Sequence, residues 1–344
     1  MNILVGLLII AVGSFCQSSS YVPINRIKSW SWESYWLIQG IFAWLLLPLF
    51  GATLAVPEGH SLLELFGAEH SFNVWMTFLF GLLWGVGGLT FGLSMRYLGV
   101  ALGQSIALGT CAGLGTILGP VLLDVFFPEL DALASLTSAV VIGVCVTLLG
   151  IAIIGIAGSM KASTLSEEEK HEAVKDFNFP KGLIIALLAG FMSGCFNVGL
   201  EFGKGIHFGD LTPDMYKTLP ATMLVTLGGF FTNATYCFYQ NTKNHSWGDY
   251  LNGSVWLNNA VFCALAGALW YSQFFGLSMG KGFLTESPTL TTLSFCILMA
   301  LNVVFSNVWG IILREWRGCS KATIAVLTLG IIVLIISSFL PQLL

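Results

Sequence analysis

Runs of about twenty consecutive, mostly apolar residues recur along almost the whole chain, separated by short polar stretches. An α-helix rises about 1.5 Å per residue, so about twenty residues cross the roughly 30 Å of hydrocarbon in a bilayer. Hydrophobic residues make up 56% of the 344 residues and charged residues only 9%, whereas about one quarter of an average soluble domain is charged. The sequence therefore predicts an all-α integral membrane protein.

The number of apolar runs predicts ten transmembrane helices. The longest polar connection, residues 160–180, falls between the fifth and sixth runs and reads as a cytoplasmic linker. It divides the chain into two five-helix halves, residues 1–159 and 181–344. The expected spans are residues 2–22, 34–56, 72–95, 99–123, 134–159, 181–206, 216–239, 254–278, 287–312 and 321–340.

Two sequence similarities relate these halves. The pentamer FGLSM occurs at residues 91–95 and again at 275–279, at the end of the third span of each half. In the fifth spans, LLGIAII at residues 148–154 corresponds to TLGIIVL at 328–334, with nearly the same offset. Because each half has an odd number of spans, the second copy must enter the membrane from the opposite side, as in many secondary transporters. We therefore predict two inverted five-helix repeats; the alternative is chance similarity between glycine-rich helix ends.

The positive charges indicate the orientation of the chain. Eleven of the 14 Lys and Arg residues lie in connections that follow odd-numbered spans, whereas Lys204, Lys217 and Lys281 follow even-numbered spans. Lys and Arg accumulate on the cytoplasmic side of short loops. The sequence therefore predicts that the odd-numbered connections are cytoplasmic and that both termini lie outside the cytoplasm.

Sequence patterns of enzymes and of nucleic-acid-binding proteins are missing. The five histidines are scattered among connections and helix ends, the eight cysteines form no C-x-x-C pair, and no glycine-rich phosphate loop precedes a helix. No basic tract interleaved with aromatic residues suggests a nucleic acid partner. We therefore expect no enzyme activity, no metal or organic cofactor and no nucleic acid partner, with the lipid bilayer as the surroundings of the chain.

Neutral polar and aromatic residues inside the apolar runs are candidates for a ligand site. Amide side chains hydrogen-bond hydroxyl groups, and aromatic rings cover the apolar face of a sugar, so this set suits an uncharged polyhydroxylated ligand. The alternative is structural, because Asn and Gln also bond neighbouring helices and Trp and Tyr also form interfacial belts. The candidate substrate-binding residues are Trp84, Asn197, Trp270, Tyr271, Gln273 and Asn302.

Two acidic residues are candidates for binding a coupling proton, since ionisable groups are costly within a membrane. Glu201 lies near one end of the sixth span, and in the alternative interpretation it forms an ion pair with Lys204, three residues later. Glu33 begins the second span, where a carboxylate also favours the positive end of the helix dipole. No acidic residue occupies the middle of an expected span.

Four segments carry a resemblance to a known family. They are YVPINRIKSWSWESYW at residues 21–36, FLFGLLWGVGGLTFGLSMRYLGVALG at 78–103, ALWYSQFFG at 268–276 and ILREW at 312–316. These segments resemble the L-rhamnose and proton symporter family of bacteria, which belongs to the drug/metabolite transporter superfamily. Larger members of that superfamily are ten-helix carriers with inverted repeats, so the resemblance implies the same architecture here.

The resemblance also implies a function. The expected activity is uptake of L-rhamnose, or of a closely related deoxysugar, across the bacterial inner membrane by symport with a proton. The proton is then the coupling ion and a small neutral sugar is the substrate. The alternative is a drug/metabolite-type carrier for another neutral metabolite, either sodium-coupled or uncoupled.

Cys319 tests the predicted orientation. It lies between the ninth and tenth expected spans, in a connection rich in Arg and Lys, so we expect it to face the cytoplasm. In a variant whose other cysteines are replaced, a membrane-impermeant maleimide added to intact spheroplasts should leave Cys319 unlabelled and should label it once the membrane is opened. Labelling from outside would invert the orientation.

Overall fold

The computed structural model describes residues 2–67, 71–164, 178–314 and 316–340. Within these ranges the regular secondary structure is all helical, with no β-strand, as the composition predicts. Residues 165–177, which form most of the predicted linker, lie outside the described residues. The α-helices are α1 (Asn2–Ser18), α2 (Tyr21–Ile24), α3 (Trp32–Gly40), α4 (Leu47–Thr53), α5 (Ser71–Leu98), α6 (Val100–Phe126), α7 (Ser138–Thr164), α8 (Phe179–Phe202), α9 (Leu219–Lys243), α10 (Gly253–Gly282), α11 (Pro288–Ile312) and α12 (Lys321–Phe339).

Nine helical segments in the described part of the chain are long and apolar enough to cross a membrane. They correspond in chain order to nine of the ten expected spans, with ends that differ by about one helical turn. The seventh expected span corresponds to α9, which has 25 residues but carries too many polar side chains to be among the nine. The chain is therefore an all-α, multi-pass membrane protein.

The second span is interrupted near its middle. A π-helical segment, Ile41–Leu46, joins α3 to α4, and its backbone hydrogen bonds skip one residue more than in an α-helix. Pro48 explains the interruption, because it has no N–H to donate to the carbonyl of Trp44 and its ring would collide with that carbonyl in a regular α-helix. Trp44 lies within this π-helical segment.

The helices form two compact units. The first comprises Met1–Val86 and Gly199–Phe283, and the second comprises Gly87–Val198 and Leu284–Leu344. Each unit thus combines segments from both halves of the chain.

In the first unit, helices approach one another at glycine residues. α1 packs along α10, where a β-carbon at Gly13 would lie 3.1 Å from the α-carbon of Gln273. α5 and α9 also pack closely, because a β-carbon at Gly81 would overlap the backbone of Val225. α3 and α4 pack against both α9 and α10. Small residues allow such contacts between membrane helices, which have no hydrophobic driving force for association in lipid.

The second unit has its own apolar core. Ile154 of α7, Val303 of α11 and Leu334 of α12 belong to one buried cluster. The hydroxyl of Thr147 donates to that of Ser337 at 3.0 Å, which adds a buried polar contact between α7 and α12. α6 packs against both α7 and α11 and completes this unit's helix packing together with α8.

We expect Gly81→Ala to lower the thermal stability of the protein in detergent. The added methyl group overlaps the backbone of Val225, so α5 and α9 must move apart. Overpacking of this kind costs about 1–3 kcal/mol in the free energy of unfolding, and a lower midpoint of thermal unfolding would report it. Gly92→Ala in the same helix is the matched control, since nothing lies within 4 Å of its β-carbon position and Ala favours a helix. Equal midpoints for the two variants would contradict the close packing of α5 against α9.

Candidate functional site

Three indole rings meet in the middle of the first unit. Trp44 lies in the π-helical segment, Trp84 in α5 and Trp270 in α10, each near the middle of its span. The ring centroid of Trp44 is 6.0 Å from those of both other residues, which are themselves 5.7 Å apart. Trp44 stands nearly perpendicular to both, at 88° and 85°, an arrangement that aromatic rings favour. We call these three residues the indole cluster.

Glycine residues make room for two of these rings. The ring of Trp44 lies over Gly40, where a β-carbon would be 2.7 Å from the ring atoms. The ring of Trp84 covers Gly229 of α9 so closely that a β-carbon there would overlap it. A larger residue at either position would displace an indole, so the positions of both rings depend on the helix packing around them.

A row of indoles leads from the cluster to the beginning of the second span. The ring centroid of Trp36 is 5.4 Å from that of Trp44, and Trp32 stacks on Trp36 at 5.3 Å. Residues 32, 36, 40 and 44 are spaced four apart, which places them along one side of a helix. The indole N–H of Trp36 donates to the side-chain oxygen of Asn233 at 3.0 Å. The row connects the indole cluster with the polar end of the same span.

Four of the six predicted substrate-binding residues belong to the first unit, and two of them, Trp84 and Trp270, contact each other in the indole cluster. Tyr271 is completely buried, and its hydroxyl has no hydrogen-bond partner among the described residues. This hydroxyl would lie 3.0 Å from a β-carbon at Gly51 in α4. Gln273 is also buried, and its amide donates to the carbonyl of Trp270 at 3.0 Å.

The other two predicted residues, Asn197 and Asn302, belong to the second unit. Both are buried. The amide of Asn197 donates to the carbonyl of Gly115 at 2.9 Å and so links α8 to α6. The amide of Asn302 lies 3.8 Å from the sulfur of Met299 in the same helix. Asn197 therefore forms a hydrogen bond between two helices, which is the structural role named above as the alternative to ligand binding.

A hydrogen-bonded network surrounds Glu33 at the beginning of α3. Glu33 is 5% exposed, and its carboxylate accepts hydrogen bonds from the hydroxyl of Ser246 at 2.7 Å and from the amide of Asn244 at 2.9 Å. A second carboxylate, that of Asp249, accepts from the hydroxyl of Ser34 at 2.7 Å. Among the described residues, neither carboxylate has a basic partner within 4.0 Å. The hydrogen-bond donors around both acids are therefore neutral.

Asn241 connects the two carboxylates. Its side-chain oxygen lies 3.1 Å from the hydroxyl of Ser246 and 3.2 Å from that of Ser34, while its amide donates to a backbone carbonyl of α9. A hydroxyl has one proton to donate. With both acids ionised, each serine donates to its own carboxylate, and the oxygen of Asn241 receives neither proton. A proton added to Glu33 can be donated to Ser246, whose own proton then turns to Asn241, so the network gains a hydrogen bond.

Connections on both sides of the network are tied together. The indole N–H of Trp30 donates to the carbonyl of Asp249 at 2.8 Å, and the hydroxyl of Tyr250 donates to a backbone carbonyl of α3 at 3.3 Å. Burial raises the pKa of Tyr250, so this hydroxyl keeps its proton at neutral pH. The amide of Asn259 donates to the carbonyl of Lys28 at 2.8 Å and its oxygen accepts from the N–H of the same residue at 3.0 Å. These bonds join the α2–α3 connection to the first turns of α10.

Glu201 has different surroundings. It is half-buried at the end of α8, and within the described part of the chain it forms no ion pair with Lys204 at 4.0 Å or less. Instead, Glu201 and Lys204 both act electrostatically on Lys281 of α10. One carboxylate near two lysines is a charged group of residues, in contrast to the neutral donors around Glu33. Within the described part of the chain, no group of three or more His, Cys, Asp or Glu side chains could hold a metal ion.

Several residues of these sites were not predicted from the sequence. Trp44 could have been predicted, since it continues the spacing of four residues between Trp32 and Trp36. Asn241 and Asp249 could not, because they follow Glu33 by more than two hundred residues and only the folded first unit brings them near it.

Together these features define a class of protein. Apolar helices of membrane-spanning length, an aromatic cluster at mid-span and a buried carboxylate network are typical of a polytopic carrier for a small solute, whose ligand sites lie near the middle of the bilayer. The chain belongs to the L-rhamnose-proton symport protein (RhaT) family, whose sequence model matches residues 1–343. This finding confirms the family resemblance, and a family of transporters agrees with the expectation that the chain is not an enzyme.

Individual relatives match over the same length. The L-rhamnose-proton symporter of Yersinia pestis (strain Pestoides F) is 31% identical over 345 residues, which cover 98% of this chain and 96% of the relative. The L-rhamnose-proton symporter of Yersinia pseudotuberculosis serotype O:1b (strain IP 31758) is likewise 31% identical, with the same coverage of both chains. The similarity therefore includes both compact units.

Proposed function

We propose that this chain carries L-rhamnose, or a closely related deoxysugar, across the bacterial inner membrane by symport with a proton. Its family and the name of its relatives, L-rhamnose-proton symporter, support both the substrate and the ion. The observation that carries the proposal is the indole cluster, in which three aromatic rings contact one another at mid-span. Such rings cover the apolar face of a deoxysugar without requiring a charge on the ligand.

We propose that α9 also crosses the membrane despite its polar composition. It is then the seventh span in chain order and brings the total to ten. Many of its polar side chains are buried inside the first unit, whereas large aromatic side chains make up much of its exposed face. The buried polar residues include Thr222, Thr226, Asn233 and Asn241, and the exposed residues include Phe231, Phe238 and Tyr239. This distribution is the reverse of that on a helix in water, and it suits a helix that faces lipid.

Ten spans support the remaining parts of the predicted architecture. We propose that residues 1–159 and 181–344 are inverted five-helix repeats, as in the drug/metabolite transporter superfamily, joined by a cytoplasmic linker at residues 160–180. The recurrence of FGLSM supports the repeat, and the distribution of Lys and Arg supports an orientation with both termini outside the cytoplasm.

We propose that the sugar contacts the first unit at Trp84, Trp270, Tyr271 and Gln273. Two indole rings supply the stacking surface, and a tyrosine hydroxyl and a glutamine amide supply hydrogen bonds. All four residues lie in the interior of α5 or α10, near the depth at which carriers bind their substrates. Asn197 and Asn302 remain candidate ligand groups of the second unit.

We propose that Glu33 binds the coupling proton, with Glu201 as the alternative. A coupling group must exist within the protein in both its charged and its neutral form, with an affinity for the proton that changes with the state of the carrier. The network around Glu33 consists of neutral donors and gains a hydrogen bond on protonation. Neutralising Glu201 would remove the negative charge that acts on the partly buried Lys281, which is costly.

Transport by the purified full-length chain in proteoliposomes tests the proposed function. Uptake of labelled L-rhamnose, other deoxysugars and unrelated neutral metabolites is measured with an imposed pH gradient, with a sodium gradient and with neither. Accumulation of L-rhamnose driven by the pH gradient is the expected result. Accumulation driven by sodium, equilibration without accumulation, or preference for an unrelated metabolite would favour the alternative carrier.

We expect Trp84→Ala and Trp270→Ala each to raise the half-saturating concentration of L-rhamnose by about tenfold or more, because each removes a ring that stacks on the sugar. Trp84→Phe should have a smaller effect, since a ring that only stacks tolerates replacement by another ring. Trp75→Ala is the matched control in the same helix, because Trp75 is 69% exposed on the outside of the unit. Unchanged half-saturation in both alanine variants would place the sugar elsewhere.

We expect Glu33→Gln to abolish accumulation of L-rhamnose against its concentration gradient while exchange of labelled for unlabelled sugar continues. Exchange requires no net release of a proton, whereas accumulation does. Glu201→Gln is the matched substitution and should still accumulate sugar in the same vesicles. The opposite pair of results would assign coupling to Glu201, and accumulation by both variants would exclude both residues.

A further inference from the structure

Two buried polar atoms of the second span lack hydrogen-bond partners among the described residues. They are the indole nitrogen of Trp44 and the side-chain oxygen of Gln39. Trp44 is 5% exposed and Gln39 is 3% exposed, so bulk water does not satisfy either atom. Trp30 in the same unit differs, because its N–H donates to the carbonyl of Asp249 at 2.8 Å. Both atoms belong to the second span, and the hydroxyl of Tyr271 in α10 likewise has no partner among the described residues.

Gln39 and Trp44 both belong to the second span. Gln39 lies near the end of α3, and Trp44 follows five residues later within the π-helical segment Ile41–Leu46. The carbonyl of Gln39 would lie 3.0 Å from a β-carbon at Gly267, one turn before Trp270 in α10. Both residues therefore adjoin the part of α10 that contributes to the indole cluster.

A buried polar atom without a partner destabilises the folded protein, because it gives up its hydrogen bonds to water. An apolar side chain of similar size at either position would avoid that loss. A sugar hydroxyl can both donate and accept a hydrogen bond, so one hydroxyl matches the N–H of Trp44 and another matches the oxygen of Gln39. Sites with such groups discriminate strongly against analogues that lack the hydroxyl, since the protein atom is then left unpaired.

We infer that Trp44 and Gln39 determine specificity by binding hydroxyl groups of an uncharged sugar held against the indole cluster. The N–H of Trp44 donates to one sugar oxygen, and the side-chain oxygen of Gln39 accepts a hydrogen bond from a hydroxyl. This inference rests on the proposed function and deepens it. The ring faces contact the apolar side of the sugar, whereas these two atoms select the arrangement of its hydroxyl groups.

The test compares affinity with stability in the purified full-length chain. Trp44→Phe keeps an aromatic ring but removes the N–H, and Gln39→Met keeps the length of the side chain but removes the amide. Calorimetric titration should show that each variant binds L-rhamnose about tenfold more weakly. This decrease corresponds to the loss of one hydrogen bond to the ligand. Without sugar, Gln39→Met should unfold at no lower temperature than the original protein, and Trp44→Phe should lose less stability than the same change at Trp30, since the removed polar atoms had no partner.

Trp30→Phe is the matched control. It also removes one indole N–H, but this N–H has a partner, so the control should unfold at a lower temperature and bind L-rhamnose with unchanged affinity. Contrasting behaviour of Trp30→Phe and Trp44→Phe separates a structural hydrogen bond from one reserved for a ligand.

Monodeoxy analogues of L-rhamnose identify the hydroxyl that each residue binds. The original protein should bind the relevant analogue about tenfold more weakly than L-rhamnose. Trp44→Phe should bind the analogue and L-rhamnose equally, because the variant already lacks the hydrogen bond that the missing hydroxyl would form. Gln39→Met should show the same equality for a different analogue. Losses that are equally large in the variants and in the original protein would overturn the inference.

Other outcomes separate this inference from the proposed function. If Trp84→Ala weakens L-rhamnose binding while Trp44→Phe and Gln39→Met leave it unchanged, the two hydroxyl contacts are wrong and the proposed function stands. If the original protein binds neither L-rhamnose nor any analogue, the proposed function is overturned and this inference with it.

Discussion

Hydrocarbon offers no hydrogen bonds, so a polar group of this chain that lies within the membrane needs a partner inside the protein or in a bound ligand. Asn233 of α9 shows how the structure meets this requirement. Its amide donates to the carbonyls of Gly85 at 3.1 Å and Gly229 at 2.8 Å, and its oxygen accepts the indole N–H of Trp36. One side chain thereby joins α3, α5 and α9. A helix with such partners can retain a polar sequence and still present aromatic residues to its surroundings.

The indole cluster depends on the same helix packing. Gly229 accommodates the ring of Trp84, and one turn further along α9, Asn233 holds the indole of Trp36. In the second span, Pro48 disrupts the α-helical repeat next to the π-helical segment that contains Trp44. The positions of the rings therefore follow from features on separate helices: a glycine, a buried amide and a proline. Gly229, Asn233 and Pro48 are themselves not aromatic.

Hydropathy alone predicts most of the fold, because a run of about twenty apolar residues has few alternatives to a membrane-spanning helix. It is least informative for α9, whose polar side chains contribute to the interior of the unit and not to a soluble face. For the candidate site, the sequence identifies Trp84 and Trp270 as individual residues, but their contact arises from packing of α5 near α10. Glu33 is recognisable as an acid at a helix start, whereas its partners come from residues 241–249 and depend on tertiary structure.

The second span carries both proposed binding events, a proton at Glu33 and a sugar hydroxyl at Trp44. Eleven residues separate the two positions, or about 16 Å along a helix. Each ligand strengthens binding of the other only if both bind more tightly to the same arrangement of this span. The affinity of each ligand then rises by the same factor when the other is bound. The π-helical segment is the part of the span that departs from the α-helical repeat. It follows Glu33 along the chain and contains Trp44. A change in its hydrogen bonding would move Trp44 relative to Gln39 while leaving the network around Glu33 attached to α9. On the proposed assignment, this segment is therefore the physical connection through which protonation and sugar binding affect each other.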